Sequence, residues 1–141
     1  MISGFDVDQK KLVRGLADVM MKKGLLKPPE WARFVKTSPA KDRPPEQNDW
    51  WFLRGSSILR RMYMNRKPMG VNRIRRIYGD KEKNRYSGQH FRPASGAITR
   101  KILQQLEGAE LIKSVKVKNH AGRVITPKGI ALVDSVAKDL K

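Results

Sequence analysis

The sequence predicts a mainly α-helical fold, organised as a helical bundle around a central amphipathic helix, with a small β-hairpin near the end of the chain. Apolar residues recur at helical spacing in several segments, and Pro and Gly separate those segments. Only residues 110–129, "ELIKSVKVKNHAGRVITPKG", have the pattern of two short strands around a turn. The chain has 141 residues and no cysteine, so it can bury a core without disulfides. We therefore predict a single domain over residues 1–141.

The first predicted helix has Asp8 as its N-cap and Gly24 just after its end. Its apolar residues are spaced at i, i+4, i+7 and i+8: Leu12, Leu16, Val19 and Met20. Two prolines then start a short turn that contains the apolar residues Trp31, Phe34 and Val35. The following segment, "KTSPAKDRPPEQN", is rich in Pro and polar residues and predicts an irregular loop.

The stretch "DWWFLRGSSILRRMYMNR", residues 49–66, predicts the central helix, capped by Asn48 or Asp49 and ended by Pro68. On a helical wheel, the side expected in the core contains Trp51, Phe52, Gly55, Ile58, Leu59, Met62 and Tyr63. The opposite side contains Trp50, Arg54, Ser57 and Arg61. Gly55 is expected to let another helix approach closely, because glycine within a helix otherwise costs about 1 kcal/mol. Three alternatives stay open for Trp50: stacking on a base, holding a guanidinium group, or packing beneath a neighbouring helix.

Residues 70–141 predict a winged-helix-like unit, in which two helices are followed by a two-stranded ribbon and a third helix. The first of these helices is "VNRIRRIY", residues 71–78. Ile74 and Ile77 are expected to face inward, and Arg73, Arg75 and Arg76 mostly outward.

The second helix of this unit is predicted to be capped by Ser95 and to end at Gly108, with Ile98, Ile102, Leu103 and Leu106 inward. Two strands flank the turn "NHAG", and Thr126 with Pro127 starts a last helix whose inward residues are Ile130, Val133, Val136 and Leu140. The helix from 95 to 107 takes the recognition position, with Ala97, Arg100, Lys101 and Gln104 on its outer side. Such a unit can also mediate protein contacts only.

Between these two helices, residues 79–94 show no periodicity and predict a loop whose path the sequence leaves open. This loop contains several basic residues interleaved with Tyr86, His90 and Phe91. Basic loops with aromatic residues are typical of proteins that reach into irregular RNA, where unstacked bases offer their faces and edges. Taken alone, this signal has low specificity.

The charge of the chain is strongly positive and unevenly distributed. The formal net charge is +18, with 31 Lys and Arg against 13 Asp and Glu. Residues 54–101 contain 14 of the basic residues and only Asp80 and Glu82 as acids, so 12 of the net charges fall there. A solvated surface usually mixes both signs, so this basic block favours a polyanionic partner, with nucleic acid as the first candidate.

Several other functions are disfavoured by the sequence. No apolar run approaches the roughly 20 residues that span a bilayer, and no signal peptide opens the chain, so we expect a soluble, cytoplasmic protein. His90 and His120 lie far apart with no cysteine or acidic cluster nearby, which predicts neither a metal site nor a catalytic triad. A phosphate-binding P-loop is also missing. We predict a protein that is not an enzyme and needs no cofactor.

Two functions from different classes remain: a structural RNA-binding protein and a winged-helix DNA-binding transcription regulator. A regulator concentrates basic residues on its recognition helix and wing and usually offers a dimer surface. Here most of the positive charge precedes the helix from 95 to 107. The charge distribution therefore favours RNA binding.

Long motifs in the chain resemble a known family. "PPEWARFVKTS", "WWFLRGSSILRRMY", "RIYGD", "HFRPASGAITRKILQQLEG" and "GRVITPKG" are similar to the small-subunit ribosomal protein nineteen-e family of archaea and eukaryotes, and the short end after the last helix is more similar to archaeal members. The resemblance covers nearly the whole chain. It implies a non-catalytic, helical protein, monomeric within the ribosome, that binds small-subunit ribosomal RNA (rRNA) in the head, adjoins other small-subunit proteins and supports subunit maturation.

The resemblance also implies roles for individual residues. The tryptophan and arginines of the family's central helix fall on Trp50, Arg54 and Arg60, and the arginine of a later basic helix falls on Arg100. Arg60 lies at the edge of the apolar side and is expected to brace the fold as well as meet RNA. Combined with the charge distribution, the candidate RNA-binding residues are Trp50, Arg54, Ser57, Arg60, Arg61, Arg66, Lys67, Arg73, Arg75, Arg76, Lys81, Arg85, His90, Arg92, Arg100 and Lys101.

Overall fold

A computed structural model describes residues 1–141 and contains five α-helices, one short 3-10 helix and two antiparallel ribbons. The α-helices are α1 (Gln9–Lys23), α2 (Trp50–Asn65), α3 (Val71–Ile77), α4 (Gly96–Gly108) and α5 (Pro127–Asp139), and the 3-10 helix is Glu30–Phe34. The strands are β1 (Asp80–Lys81), β2 (Phe91–Arg92), β3 (Ile112–Val117) and β4 (His120–Ile125). The predicted mainly α-helical class is confirmed. None of the helices combines the length and hydrophobicity that a membrane span requires.

Helix α2 lies at the centre and packs against α1, α4 and α5. Six of the seven residues predicted for its core side are buried: Trp51, Gly55, Ile58, Leu59, Met62 and Tyr63. The seventh, Phe52, is partly buried against the same core. Buried residues from all five helices join in one hydrophobic cluster, and the single domain over residues 1–141 stays a prediction.

Gly55 is necessary for close packing, but the group that approaches it differs from the one predicted. A Cβ atom at this position would overlap Cδ1 of Leu26, which lies in the segment after α1. The same atom would lie 3.6 Å from Cγ2 of Ile102 in α4, an ordinary contact. The glycine therefore accommodates a side chain from a connecting segment, and only secondarily a neighbouring helix.

Three predicted helix caps are confirmed by hydrogen bonds. The Asp8 carboxylate accepts from the backbone N–H groups of Lys10 and Lys11, at 3.1 and 3.4 Å. Ser95 Oγ accepts from the N–H of the third residue of α4 at 3.4 Å, and Thr126 Oγ1 accepts from that of Gly129 at 3.2 Å. These bonds satisfy N–H groups that the first turn of a helix leaves without partners.

Two predicted helix ends differ from those observed. Asp49 occupies the N-cap position of α2 without a capping hydrogen bond, because its carboxylate pairs with Arg14 at 3.0 Å. Helix α2 ends at Asn65, where Arg66 adopts a left-handed conformation with φ of 55°, two residues before Pro68. Helix α4, by contrast, ends at Gly108 as predicted, and the left-handed residue after it is Glu110, with φ of 63°.

The turn between β3 and β4 is earlier and tighter than predicted. It is formed by Lys118, which has φ of 54°, and Asn119, and His120 already pairs with Val117 in the ribbon. Gly122, which was predicted in the turn, therefore lies within strand β4. A Cβ atom there would lie 3.0 Å from Cβ of Pro68, so the glycine allows the chain before α3 to run along the hairpin edge.

The structure also differs from the prediction in the loop of residues 79–94 and at the end of the last helix. The ends of the loop pair as a short ribbon, in which Asp80 lies opposite Arg92 and Lys81 opposite Phe91. Helix α5 ends at Asp139, and Leu140, predicted to face inward, is 37% exposed. The predicted order of two helices, hairpin and helix is present in residues 70–141, and its equivalence to a winged-helix unit stays a prediction.

Candidate nucleic-acid interface

The candidate residues fall into two groups that differ in burial. Eleven are exposed: Arg61, Arg66, Lys67, Arg73, Arg76, Lys81, Arg85, His90, Arg92, Arg100 and Lys101. Five are partly buried: Trp50, Arg54, Ser57, Arg60 and Arg75. The exposed group forms the surface that a large anion can reach, whereas each partly buried residue has contacts within the fold that must be described first.

Arg54 is held on the polar side of α2 by an aromatic ring. Its guanidinium carbon lies 4.4 Å from the centroid of the Tyr78 ring, and the Tyr78 hydroxyl is 2.6 Å from Ser57 Oγ. Ser57 is thus engaged within the protein, although the sequence predicted it on the binding side. Burial raises the pKa of Tyr78, while the Ser57 hydroxyl and the nearby Arg54 and Arg61 guanidinium groups act in the opposite direction.

Apart from its attraction to the Tyr78 ring, the charge of Arg54 has no partner inside the chain. None of the five ion pairs of the protein includes Arg54, and its side chain donates no intramolecular hydrogen bond. Burial lowers its pKa. Because a guanidinium group stays protonated in proteins, Arg54 is a partly desolvated cation without a counterion.

Arg75 is less accessible than the sequence suggested, whereas Arg60 is partly buried, in agreement with its predicted place at the edge of the apolar side. Arg75 was expected to face mostly outward, but its Nε donates to the backbone carbonyl of Ala94 at 2.8 Å and so ties α3 to the start of α4. Arg60 Nε is buried and has no hydrogen-bond partner. The predicted bracing role of Arg60 therefore involves no hydrogen bond from this atom.

Trp50 packs on the core and also borders an open groove. Its ring meets Trp51 edge to face, with 5.5 Å between the ring centroids. The groove lies between α1, residues 37–47, α2 and Tyr78, and has a volume of about 600 Å³. None of its lining residues is acidic. Five of them are cationic: Lys10, Arg14, Lys41, Arg43 and Arg54.

Four of these cations were not among the residues that the sequence predicted for RNA binding. Lys10, Arg14, Lys41 and Arg43 belong to the first third of the chain, where 10 basic residues nearly balance 7 acidic ones. Counting charge along the sequence gives no signal for them, because only the packing of α1 and the 37–47 loop against α2 brings them to Arg54.

Two candidate residues from separate segments meet at the first turn of α4. A Cβ atom at Gly96 would lie 2.8 Å from Nη1 of Arg100 and 3.4 Å from Nε of Arg75. Both guanidinium groups therefore lie beside Gly96. The four residues predicted for the outer side of α4 are all exposed: Ala97, Arg100, Lys101 and Gln104.

The remaining candidates lie at the end of α2 and in the loop of residues 79–94. Arg66 Nε donates to the Tyr63 carbonyl at 3.3 Å, so this side chain caps a carbonyl group in the last turn of α2. In the loop, Arg92 pairs with Glu82 at 3.0 Å, while Tyr86 is 94% exposed. The loop thus presents an aromatic ring to solvent, as its composition predicted.

Comparisons with known proteins identify the family of this chain. A sequence profile described as Ribosomal protein S19e matches residues 4–141. The small ribosomal subunit protein eS19 of Aeropyrum pernix is 43% identical over 141 residues, which cover 99% of this chain and 90% of that protein. The protein of the same name from Mya arenaria is 37% identical over 139 residues, covering 99% of this chain and 91% of its own length. The chain therefore belongs to the S19e family of ribosomal proteins, which are structural, non-enzymatic components of the ribosome.

Proposed function

We propose that this protein binds small-subunit rRNA in the head of the subunit, contacts neighbouring small-subunit proteins as a monomer, and supports subunit assembly. The observation that carries the proposal is the exposure of the basic block. Of its 14 Lys and Arg, 11 are exposed, and among those 11 only Arg92 is in an ion pair. Uncompensated exposed cations gain most from a dense array of phosphates, because binding releases the counterions condensed on the nucleic acid.

The outer side of α4 meets RNA differently from the way a recognition helix meets DNA. The major groove of A-form RNA is too deep and narrow for side chains to read, so a helix cannot enter it as it enters B-form DNA. Arg100 and Lys101 are accordingly assigned to backbone phosphates or to irregular loops of the rRNA. Gln104, on the same side, is available for contacts to unpaired bases.

DNA binding by a winged-helix regulator is the second candidate, favoured by the exposure of Ala97, Arg100, Lys101 and Gln104 on α4. The location of the charge argues against it. Arg61, Arg73 and Arg76 are exposed on α2 and α3, outside the recognition helix and the hairpin. Selection from a random pool of duplex DNA separates the candidates, since a defined motif would support the regulator and overturn the ribosomal proposal.

The proposal is tested by incorporation into ribosomal subunits. The wild-type protein, expressed in an archaeal host with a tag, is expected to sediment with small subunits in a sucrose gradient. Replacement of Arg73 and Arg76 by Ala removes two exposed charges of the basic block and should lower the fraction in that peak. The matched control replaces Lys22 and Lys23, two exposed lysines at the end of α1, and should sediment as the wild type. Sedimentation of the wild type only at the top of the gradient would contradict the proposal.

A further inference from the structure

The groove between α1, residues 37–47 and α2 has the size of a binding site for a small group. Its volume of about 600 Å³ lies within the range of about 300 to 1,000 Å³ that is typical of ligand pockets. A flat contact with a duplex backbone needs no such concavity. The groove is therefore large enough for a group that projects into the protein.

The charges of the groove favour an anionic occupant. Arg14 pairs with Asp49 at 3.0 Å and Lys41 with Asp80 at 3.0 Å, so these two cations are partly compensated. The other three, Lys10, Arg43 and Arg54, are in no ion pair. Since no acidic residue lines the groove, its potential is positive.

Arg54 gives this argument its strongest support. Its guanidinium group is partly removed from water and stacked on Tyr78, yet it has no carboxylate partner. A desolvated charge without a counterion lowers stability, and binding of an anion removes that cost. Arg54 lines the groove, so an anion that enters the groove can reach it.

The groove also offers surface for an aromatic ring. Trp50, Leu53, Val13 and Pro45 are among its lining residues, next to the cations. Phosphate alone would use only the charges. A nucleotide uses both kinds of surface, because a base gains by stacking on an aromatic side chain while its phosphate pairs with arginine. A base inside a duplex has no free face, so the nucleotide must be unpaired.

We propose that this groove binds one unpaired nucleotide of the RNA, with the base against Trp50 and a phosphate on Arg54. The assignment rests on the proposed function and names the element that this part of the protein recognises. It also gives Lys10 and Arg43, which lie outside the basic block, a role in steering the phosphate into the groove.

The first experiment maps contacts by photo-crosslinking. A small-subunit rRNA head fragment containing 4-thiouridine is bound to the full-length protein, irradiated and digested, and the crosslinked peptides are identified by mass spectrometry. We expect a crosslink from an unpaired nucleotide to a peptide that contains Trp50 or Tyr78. Crosslinks found only elsewhere, from RNA that still binds, would overturn the groove assignment and leave the proposed function intact. Failure of the fragment to bind at all would overturn both.

The second experiment measures affinity for a short single-stranded oligoribonucleotide, a duplex of the same sequence, and free mononucleotides. The Trp50→Ala variant is expected to bind the single strand about five- to 160-fold more weakly, the usual effect of removing one stacking aromatic. Affinity for the duplex should change little. A wild-type preference for free mononucleotides over the oligonucleotide would instead indicate a small-molecule site and overturn the assignment.

A double variant guards against unfolding of Trp50→Ala. Lys10 and Arg43 are exposed and unpaired, so Lys10→Gln with Arg43→Gln should retain the fold and weaken single-strand binding. The control is Lys22→Gln with Lys23→Gln, which removes the same charge outside the groove. Equal losses in the two double variants would show that only net charge matters and would overturn the assignment.

Discussion

Arg54 and Arg73 lie on consecutive helices of one basic block, and the structure gives them different environments. Arg73 of α3 is exposed, and water screens its charge. Arg54 of α2 is partly buried over Tyr78 and pairs with no carboxylate of the chain. The comparison separates two ways of binding an anion: an exposed arginine contributes to a general field, whereas a desolvated arginine forms a specific site at a cost in stability.

The largest expected effect comes from a core residue. It tests the distinction between buried and exposed helix positions, on which this comparison depends. Leu106 of α4 is fully buried, so Leu106→Ala should lower the free energy of unfolding by about 2 to 5 kcal/mol through cavity formation. Arg61→Ala, at an exposed position of α2, should leave the melting temperature nearly unchanged and weaken RNA binding. Thermal denaturation of both variants checks this, and similar losses of stability would refute the assignment.

The next prediction addresses Arg54 directly. Arg54→Met retains an aliphatic stem over Tyr78 and removes the desolvated charge. The melting temperature should change little, because removal of the desolvated charge offsets the loss of its attraction to the Tyr78 ring. RNA affinity should fall by about 2 kcal/mol or more, the usual cost of breaking a desolvated charge pair. Arg73→Met is the matched control, for which we expect a smaller loss of affinity. Equal losses would remove the distinction between the two arginines.

A smaller effect is expected at the first turn of α4. Arg100 is exposed and lies beside Gly96, so Arg100→Ala should retain the fold and reduce rRNA affinity by about 1.5 to 3 kcal/mol, the usual worth of a hydrogen bond to a charged group. Titration of a labelled rRNA fragment measures the loss, and circular dichroism monitors the fold. An Arg100→Ala variant that binds rRNA like the wild type would exclude this residue from the interface.

The smallest effect concerns a surface ion pair away from both arginines. Glu107 accepts a hydrogen bond from Ser114 and pairs with Arg123, and these contacts hold its pKa below the ordinary value. A depressed carboxyl pKa adds stability above the unfolded-state pKa, and this is lost as the pH falls through the folded-state value. Glu107→Gln should thus reduce stability at neutral pH by about 0.2 to 1 kcal/mol and show a weaker acid dependence. Urea denaturation at pH 7 and pH 3 tests this, and an unchanged difference between the two pH values would contradict it.

Features that depend on neighbouring residues in the chain were predictable. The caps at Asp8, Ser95 and Thr126 form within three residues, and the core side of α2 follows from helical geometry. The exposure of Arg73 and Arg76 follows from the same geometry. These parts of the fold and of the candidate site need no knowledge of tertiary contacts.

Features that depend on distant contacts were missed. Asp49 makes no capping hydrogen bond because its carboxylate pairs with Arg14, 35 positions earlier in the chain. Arg75 is drawn inward by the Ala94 carbonyl, 19 positions later. The groove unites cations from α1 and the 37–47 loop with Arg54, and no local pattern encodes that meeting.

Short or unusual backbone elements were not predicted from the sequence, for a different reason. Strands β1 and β2 have two residues each, too few to show the alternation that identifies a strand. The hairpin turn uses Lys118 in the left-handed region, although the nearby Gly122 is the residue type that usually adopts such conformations. Gly122 is required instead for contact with Pro68.

The salt dependence of rRNA binding tests the central claim, that the basic block binds the phosphates of the rRNA. Affinity of the wild-type protein for a small-subunit rRNA head fragment is measured by filter binding across a series of KCl concentrations. The logarithm of the association constant should fall linearly with the logarithm of salt concentration, with a slope of about −0.7 to −0.9 for each phosphate contacted. Replacing Arg73 and Arg76 by Ala should make the slope shallower, whereas replacing Lys22 and Lys23 should not. A flat response of the wild type would contradict the account.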